Sequence, residues 1–184
     1  MTAVQEDAEV VTGAGPTVAV ILPALNEELT VGATITAFHE ALPRATIVVV
    51  DNGSQDGTAE VASKSLQDLP CPTHLLDEPR QGKGLALRRA FYEVDADIYL
   101  LVDADMTYPA EAAHALIEPI IDSQADMVVG DRRSEGDYER HNARRFHSFG
   151  NRFVQGLVNA LFHTRMKDIM SGYRALSSTF VDNY

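Results

Sequence analysis

The stretch Tyr99-Leu100-Leu101-Val102-Asp103-Ala104-Asp105 changes character within seven residues, from an unbroken apolar run to two carboxylates one residue apart. A run of this kind reads as a strand buried on both faces, and its abrupt polar end marks where the chain leaves a sheet. In open parallel sheets the ligand crevice lies outside those carboxyl ends, so Asp103 and Asp105 are placed to face a ligand. Their oxygens are hard donors of the kind Mg²⁺ and Mn²⁺ prefer, and Mg²⁺ commonly takes one or two carboxylates while substrate phosphates complete its shell. By itself Asp-x-Asp also describes an ordinary turn or helix cap, so the rest of the chain decides its meaning.

Outward from this stretch the same pattern recurs. Thr17 to Leu22 is a β-branched run closed by Pro23, and Val31, Ile35, Phe38 and Leu42 then follow at helical spacing. Thr46 to Val50 stops at the turn-forming Asp51-Asn52-Gly53-Ser54, and Asp56-Gly57-Thr58 caps a helix through Leu66. Thr73 to Leu76 is a weaker strand; a loop from Glu78 to Gly84, a helix from Leu85 to about Val94 and the strand Ile98 to Val102 come next. Pro109 suits the first turn of a helix to Ile121, and Met127 to Val129 is a last short strand. Four βα repeats predict an α/β domain with a mainly parallel central sheet. Asn26-Glu27, Asp51, Asp77-Glu78 and Asp103/Asp105 all follow strand ends, so they are expected to share one cleft.

Composition narrows the classes. The 184 residues suffice for one domain, with the net charge of −12 unevenly spread. Residues 1–131 carry 6 basic and 22 acidic side chains, whereas residues 132–184 carry 9 basic and 5 acidic ones. A nucleic-acid partner is excluded by the acidic majority and by the lack of any known binding motif. Arg132, Arg133, Arg140, Arg144, Arg145 and Arg152 instead suit a phosphate or an anionic membrane surface. The single cysteine, Cys71, excludes an internal disulfide and is assigned to packing. Residues 1–15 lack a basic start and an apolar core and read as a disordered leader rather than a signal peptide. No apolar segment approaches the roughly 18 residues of a membrane-spanning helix, so a cytoplasmic domain is expected.

The loop after the first strand, Pro23-Ala24-Leu25-Asn26-Glu27, has neither a glycine triplet nor Gly-Lys-Ser/Thr, which rules out a dinucleotide fingerprint and a P-loop there. Gly82-Lys83-Gly84 precedes a helix, where backbone donors and a lysine can approach an anion. From Phe146 to Phe162, Phe146, Phe149, Phe153, Leu157, Val158 and Leu161 follow helical spacing beside Arg144, Arg145 and Arg152. That segment fits either packing on the sheet or an interfacial helix.

Taken in order, Pro23-Ala24-Leu25-Asn26-Glu27, Val50-Asp51-Asn52-Gly53-Ser54-Gln55-Asp56-Gly57-Thr58, Gly82-Lys83-Gly84 and Asp103-Ala104-Asp105 resemble glycosyltransferase family 2. Gly130-Asp131-Arg132-Arg133, Ser148-Phe149-Gly150-Asn151-Arg152 and Asp168-Ile169-Met170-Ser171-Gly172-Tyr173-Arg174 are similar, more narrowly, to its polyprenyl-phosphate branch, that of the dolichol-phosphate mannose synthases. The resemblance implies a GT-A, Rossmann-like α/β/α sandwich over residues 16–184. It implies a metal-dependent, inverting hexosyltransferase that uses a nucleotide-diphosphate sugar of the GDP-mannose or UDP-glucose type and a polyprenyl or dolichyl phosphate acceptor. A soluble or saccharide hydroxyl acceptor, with Asp131 or Asp168 as base, and a nucleotide-binding domain without turnover are the alternatives.

Carried onto this sequence, the resemblance assigns Pro23, Ala24, Asn26, Glu27 and Asp51 to the base and ribose. Gly82 and Lys83 fall to the anion, and Asp103, Ala104 and Asp105 to the ribose-diphosphate and metal region. Asp103, Asp105 and Thr107 are the implied Mg²⁺ or Mn²⁺ ligands, Thr107 standing where relatives commonly have glutamine. Asn52, where many relatives have aspartate, removes one charge from the expected cleft. Asp105, Arg132, Arg144, Arg145 and Arg174 are the residues expected to act on the reacting phosphates, because an arginine fork matches phosphate oxygens. Such an acceptor implies peripheral membrane contact and a place at the cytosolic face of the membrane. Relatives continue through further helices where this chain stops at Tyr184, so a shortened C-terminus is expected.

Overall fold

The computed structural model describes residues 15–130 and 171–183. Strands β1 (Val18–Ala24), β2 (Thr46–Asp51), β3 (Thr73–Asp77), β4 (Ile98–Leu101), β5 (Met127–Val129) and β6 (Arg174–Ser177) form a single sheet in the order β3-β2-β1-β4-β6-β5. The first four strands run parallel, while β6 is antiparallel to both β4 and β5. Helices α1 (Val31–Ala41), α2 (Thr58–Gln67), α3 (Lys83–Glu93) and α4 (Ala113–Ile121) follow the strands, and a short α5 (Ser178–Asp182) follows β6. A 3-10 turn, Ala110–Ala112, leads into α4.

Alternation along each strand separates two cores. Val20, Leu22, Ile47, Val49, Ile98 and Leu100 face α1, α2 and α4, while Ala19, Ile21, Val48, Val50, Tyr99 and Leu101 face α3 and α5. Both faces of the central strands are therefore covered, which is why their sequences are continuously apolar rather than alternating. Cys71 is part-buried against the first core, as its packing assignment requires, and burial pushes its thiol pKa up.

Two sequence readings change. Pro23 does not close β1; it lies inside the strand, opposite Val50. The Ile21 carbonyl accepts from Val102 N–H on the β4 side and the Ala24 carbonyl accepts from Asn52 N–H on the β2 side. Pro23 thus turns its missing N–H toward β4 just past the last β1–β4 pair, Ile21 with Leu101, where no donor is needed. The second change is β6, which reads as a motif but not as a strand. Arg-Ala-Leu-Ser has little β preference, and its conformation comes from partners on both edges, Leu101 and Val129 both pairing with Arg174.

The chain passes outward from β1 through β2 to β3, then returns across the opposite face to β4 on the far side of β1. This reversal leaves a crevice at the carboxyl ends of β1 and β4, where such sheets bind ligands.

Candidate active site

Asp103 and Asp105 leave β4 at that crevice with the buried Ala104 between them. Ala104 is a core residue whose carbonyl accepts from Thr34 Oγ1 at 3.1 Å. With its middle residue anchored, the loop turns the two flanking carboxylates away from the core. Asp105 is exposed, and its Oδ1 accepts from Thr107 N–H at 3.0 Å across Met106, whose φ is +61°. Thr107 thus orients Asp105 through its main chain.

Lys83 is the first residue of α3, two residues earlier than the sequence reading starts that helix, and its Nζ forms an ion pair with Asp103 Oδ1. Gly82 precedes it at φ +143°, a conformation that side chains rarely adopt, and this turn aims Lys83 across the crevice. Gly172 closes the same spot from the bend that leads into β6 on the other side. A Cβ there would collide with the Asp103 carboxylate and stand 2.8 Å from Lys83 Nζ, so only glycine lets the backbone come this close. Its N–H donates to Tyr108 Oη at 2.7 Å, and the Tyr108 and Tyr173 rings pack at a tilt of 36° with centroids 5.0 Å apart. Tyr173 is buried against Phe38, which raises its phenol pKa well above the usual range and keeps it a neutral donor to the Pro109 carbonyl.

Arg174 lies beside the end of β4 in register with Leu101, and its Nε donates to the Ser171 carbonyl at 2.9 Å. Arg132, Arg144 and Arg145, like Asp131, Asp168 and the 146–162 segment, lie outside the described residues.

The loop after β1 is tied to the loop after β2. Asn26, at φ +57°, accepts from Gln55 N–H at 2.8 Å and its own N–H donates to Ser54 Oγ at 3.0 Å. Glu27 N–H donates to the buried Thr58 hydroxyl at 2.8 Å, and Glu27 Oε2 accepts from Thr30 Oγ1 at 2.8 Å. The Thr58 hydroxyl in turn donates to Asp56, a bond that pulls the Asp56 carboxyl below its usual range. Asp51 is half-buried and accepts from Ser54 N–H at 3.2 Å.

Several residues expected near the cleft have buried side chains. Ala24, 1% exposed, belongs with Ala104 to the core, so neither offers the cleft a side chain. Glu78 does not join the cleft acids: it is buried and bound by Arg80 Nε and Nη2, both at 2.8 Å, which hold its carboxyl down at about 2. Asn52 is buried as well, so its uncharged side chain does not alter the charge of an open cleft. The sequence reading assigned no site role to Tyr108, Thr58 or Gly172; Thr58 and Gly172 carried a signal only as members of the Asp56-Gly57-Thr58 and Ser171-Gly172-Tyr173-Arg174 motifs, and Tyr108 carried none.

Among the described residues, no three His, Cys, Asp or Glu side chains converge as a metal site. Two carboxylates at an open strand end nevertheless fit a hard divalent cation whose remaining ligands come from a bound phosphate.

The mainly parallel sheet, covered on both faces and with acids at its β1/β4 reversal, has the GT-A fold of its solved-structure neighbours. The chain matches the family described as Glycosyl transferase family 2 over residues 19–183 and belongs to it. It is 45% identical over 120 residues to Protein RfbJ of Shigella flexneri, covering 65% of this chain and 88% of that one. A dolichyl-phosphate hexose transferase of Haloferax volcanii is 30% identical, with 85% of this chain and 64% of the relative covered. Among solved structures, glucosyl-3-phosphoglycerate synthase of Mycobacterium tuberculosis, in complex with Mn²⁺, UDP-glucose and phosphoglyceric acid, superposes with a TM-score of 0.66 at 25% identity. That match covers 89% of this chain and 57% of the synthase. The chain spans about half of another Haloferax relative, glycosyltransferase AglJ, at 52%.

Proposed function

We propose that this transferase moves a hexose from a nucleotide-diphosphate sugar of the GDP-mannose or UDP-glucose type to a polyprenyl or dolichyl phosphate, with inversion at the anomeric carbon. The observation that carries the reading is the Lys83–Asp103 ion pair at the β1/β4 crevice, with Asp105 exposed two residues further on. The residue-by-residue likeness to the polyprenyl-phosphate branch and the dolichyl-phosphate hexose transferase relative support the acceptor. Residues 16–184 then form one GT-A domain working at the cytosolic face of a membrane. Among the described residues no helix is long and apolar enough to cross one.

In this reading Asn26, Glu27 and Asp51 flank the base and ribose, Pro23 shaping that wall. Lys83 and the backbone N–H groups at the start of α3 take the diphosphate, as a helix N-terminus and a cation do for anions. Asp103 and Asp105 would hold Mg²⁺ or Mn²⁺, with Thr107 steadying Asp105. That ion supplies neutralisation of the charge that develops on the departing nucleoside diphosphate. A phosphate acceptor is already ionised near neutral pH and attacks without a protein base. Arg174, with Arg132, Arg144 and Arg145, would steady it as forked donors.

A soluble phosphorylated acceptor is the second reading, favoured by the phosphoglyceric acid bound to the synthase neighbour. Transfer assays with UDP-glucose and GDP-mannose against an undecaprenyl phosphate micelle or 3-phosphoglycerate separate the two. A glycosyl-lipid product that requires added Mg²⁺ or Mn²⁺ is expected. Product with the soluble acceptor alone would overturn the lipid reading.

A further inference from the structure

Asn52 is 3% exposed, and each polar atom of its side chain is engaged. Its Nδ2 donates to the carbonyls of Glu78 at 2.9 Å and Arg80 at 2.8 Å, and its Oδ1 accepts from Gly82 N–H at 2.8 Å. Its backbone N–H donates to the Ala24 carbonyl at 2.8 Å. One residue therefore joins the ends of β1 and β2 to the whole 78–82 loop. The next residue in the chain is Lys83, paired with Asp103 at the end of β4. Asn52, Gly82, Lys83 and Asp103 thus form a continuous line of fixed contacts across the strand ends.

A lysine is a point charge on a flexible stem, so its useful position depends on how firmly its backbone is held. We propose that Asn52 is a positioning residue for the donor diphosphate: without touching it, Asn52 fixes Gly82 so that Lys83 and the start of α3 stand opposite Asp103 and Asp105. The chemistry requires a carboxamide. Two carbonyls on one side need donors and one N–H on the other needs an acceptor; a carboxylate serves only the second and sets its other oxygen against the two carbonyls. The inference rests on the donor reading above, in which Lys83 meets the diphosphate.

Calorimetric titration of UDP and GDP in the presence of Mn²⁺ tests it, with folding of every variant checked by circular dichroism. Lys83→Met is expected to weaken nucleotide binding roughly tenfold, the loss of one charge-assisted hydrogen bond. Asn52→Ala and Asn52→Asp should each weaken it by about three- to tenfold as Lys83 loses its fixed base. Joined with Lys83→Met, either Asn52 variant should weaken binding by clearly less than the product of the two single losses, because part of its effect runs through Lys83. Losses that multiply in the double variant, or a folded Asn52→Ala with unchanged affinity, would overturn the inference. If Asn52→Ala does not fold, the isosteric Asn52→Asp carries the same cycle; failure of both to fold would make Asn52 a stability residue and end the proposal. A wild-type protein that binds neither nucleotide would remove the donor reading and this inference with it, whereas multiplicative losses would remove this inference alone.

Discussion

Glu78 and Asp103 each follow a parallel strand and each pairs with a basic side chain, yet the Glu78 side chain is 6% exposed and that of Asp103 is 31% exposed. Glu78 takes its partner from two residues along the same loop, and Arg80 reaches it through Nε, Nη2 and the backbone N–H. Such a local, forked pair fixes a loop. Asp103 takes its partner from another crossover, and Lys83, at 46% exposed, keeps contact with solvent. A pair joined across a crevice between two loops is the one a bound ion or phosphate can divide. Acidity at a strand end is therefore not sufficient to mark a site; the origin of the partner and the exposure of the pair distinguish a brace from a binding group.

The largest effect expected from this contrast is on transfer. Asp103→Ala and Asp105→Ala should each lower kcat by roughly 10³-fold in the presence of Mn²⁺, the scale of losing metal stabilisation of the leaving group. Glu78→Gln should leave kcat close to wild type. A comparable loss in Glu78→Gln would break the distinction.

Gly172→Ala comes next. The atoms nearest its methyl would be those of Asp103 and Lys83, so transfer should fall on the order of 10²-fold, as for a small misplacement of reacting groups. Thermal unfolding of the same variant should change far less, because the side chain it meets is part of an open pair. A large drop in Tm would show instead that the glycine serves packing.

The smallest effect is on stability and depends on pH. In the folded chain Arg80 holds Glu78 down at about 2, below its ordinary value of 4.5. A group with a lowered folded pKa stabilises the fold above its ordinary value and loses that contribution as pH falls through the lowered one. The Tm of wild type should exceed that of Glu78→Gln at pH 7, and the gap should close as pH falls from 4.5 toward 2. A gap that persists at pH 2 would mean that Glu78 acts by packing rather than by charge.

Sequence reading found the strand ends well because continuous apolar runs such as Ile47 to Val50 and Ile98 to Val102 are the direct signature of burial on both faces. It pointed to Asp103 and Asp105 because they sit at the end of such a run, and to Lys83 because Gly82-Lys83-Gly84 precedes a helix. It assigned Glu78 to the same cleft on the same grounds, and the resemblance counted Asn52 toward the charge of that cleft, yet both side chains are buried. Burial of a polar side chain at a strand end depends on which loop folds over it, and nothing in Asp51-Asn52-Gly53 announces the carbonyls of Glu78 and Arg80. The β6 strand was illegible for a related reason: its four residues are strand only because β4 and β5 offer hydrogen-bonding edges on both sides.

The sequence by itself determined a βα-repeated domain with acids at its strand ends, since period and composition are local properties of a chain, and the order of its motifs carried the likeness to glycosyltransferase family 2. Only the tertiary structure decided which of those acids face the crevice. It brought Gly172 against Asp103 across 68 intervening residues and set Asn52 beneath the loop that carries Lys83. Those choices depend on loop-to-loop hydrogen bonds and close approach between segments distant in sequence, and such contacts exist only once the sheet has assembled.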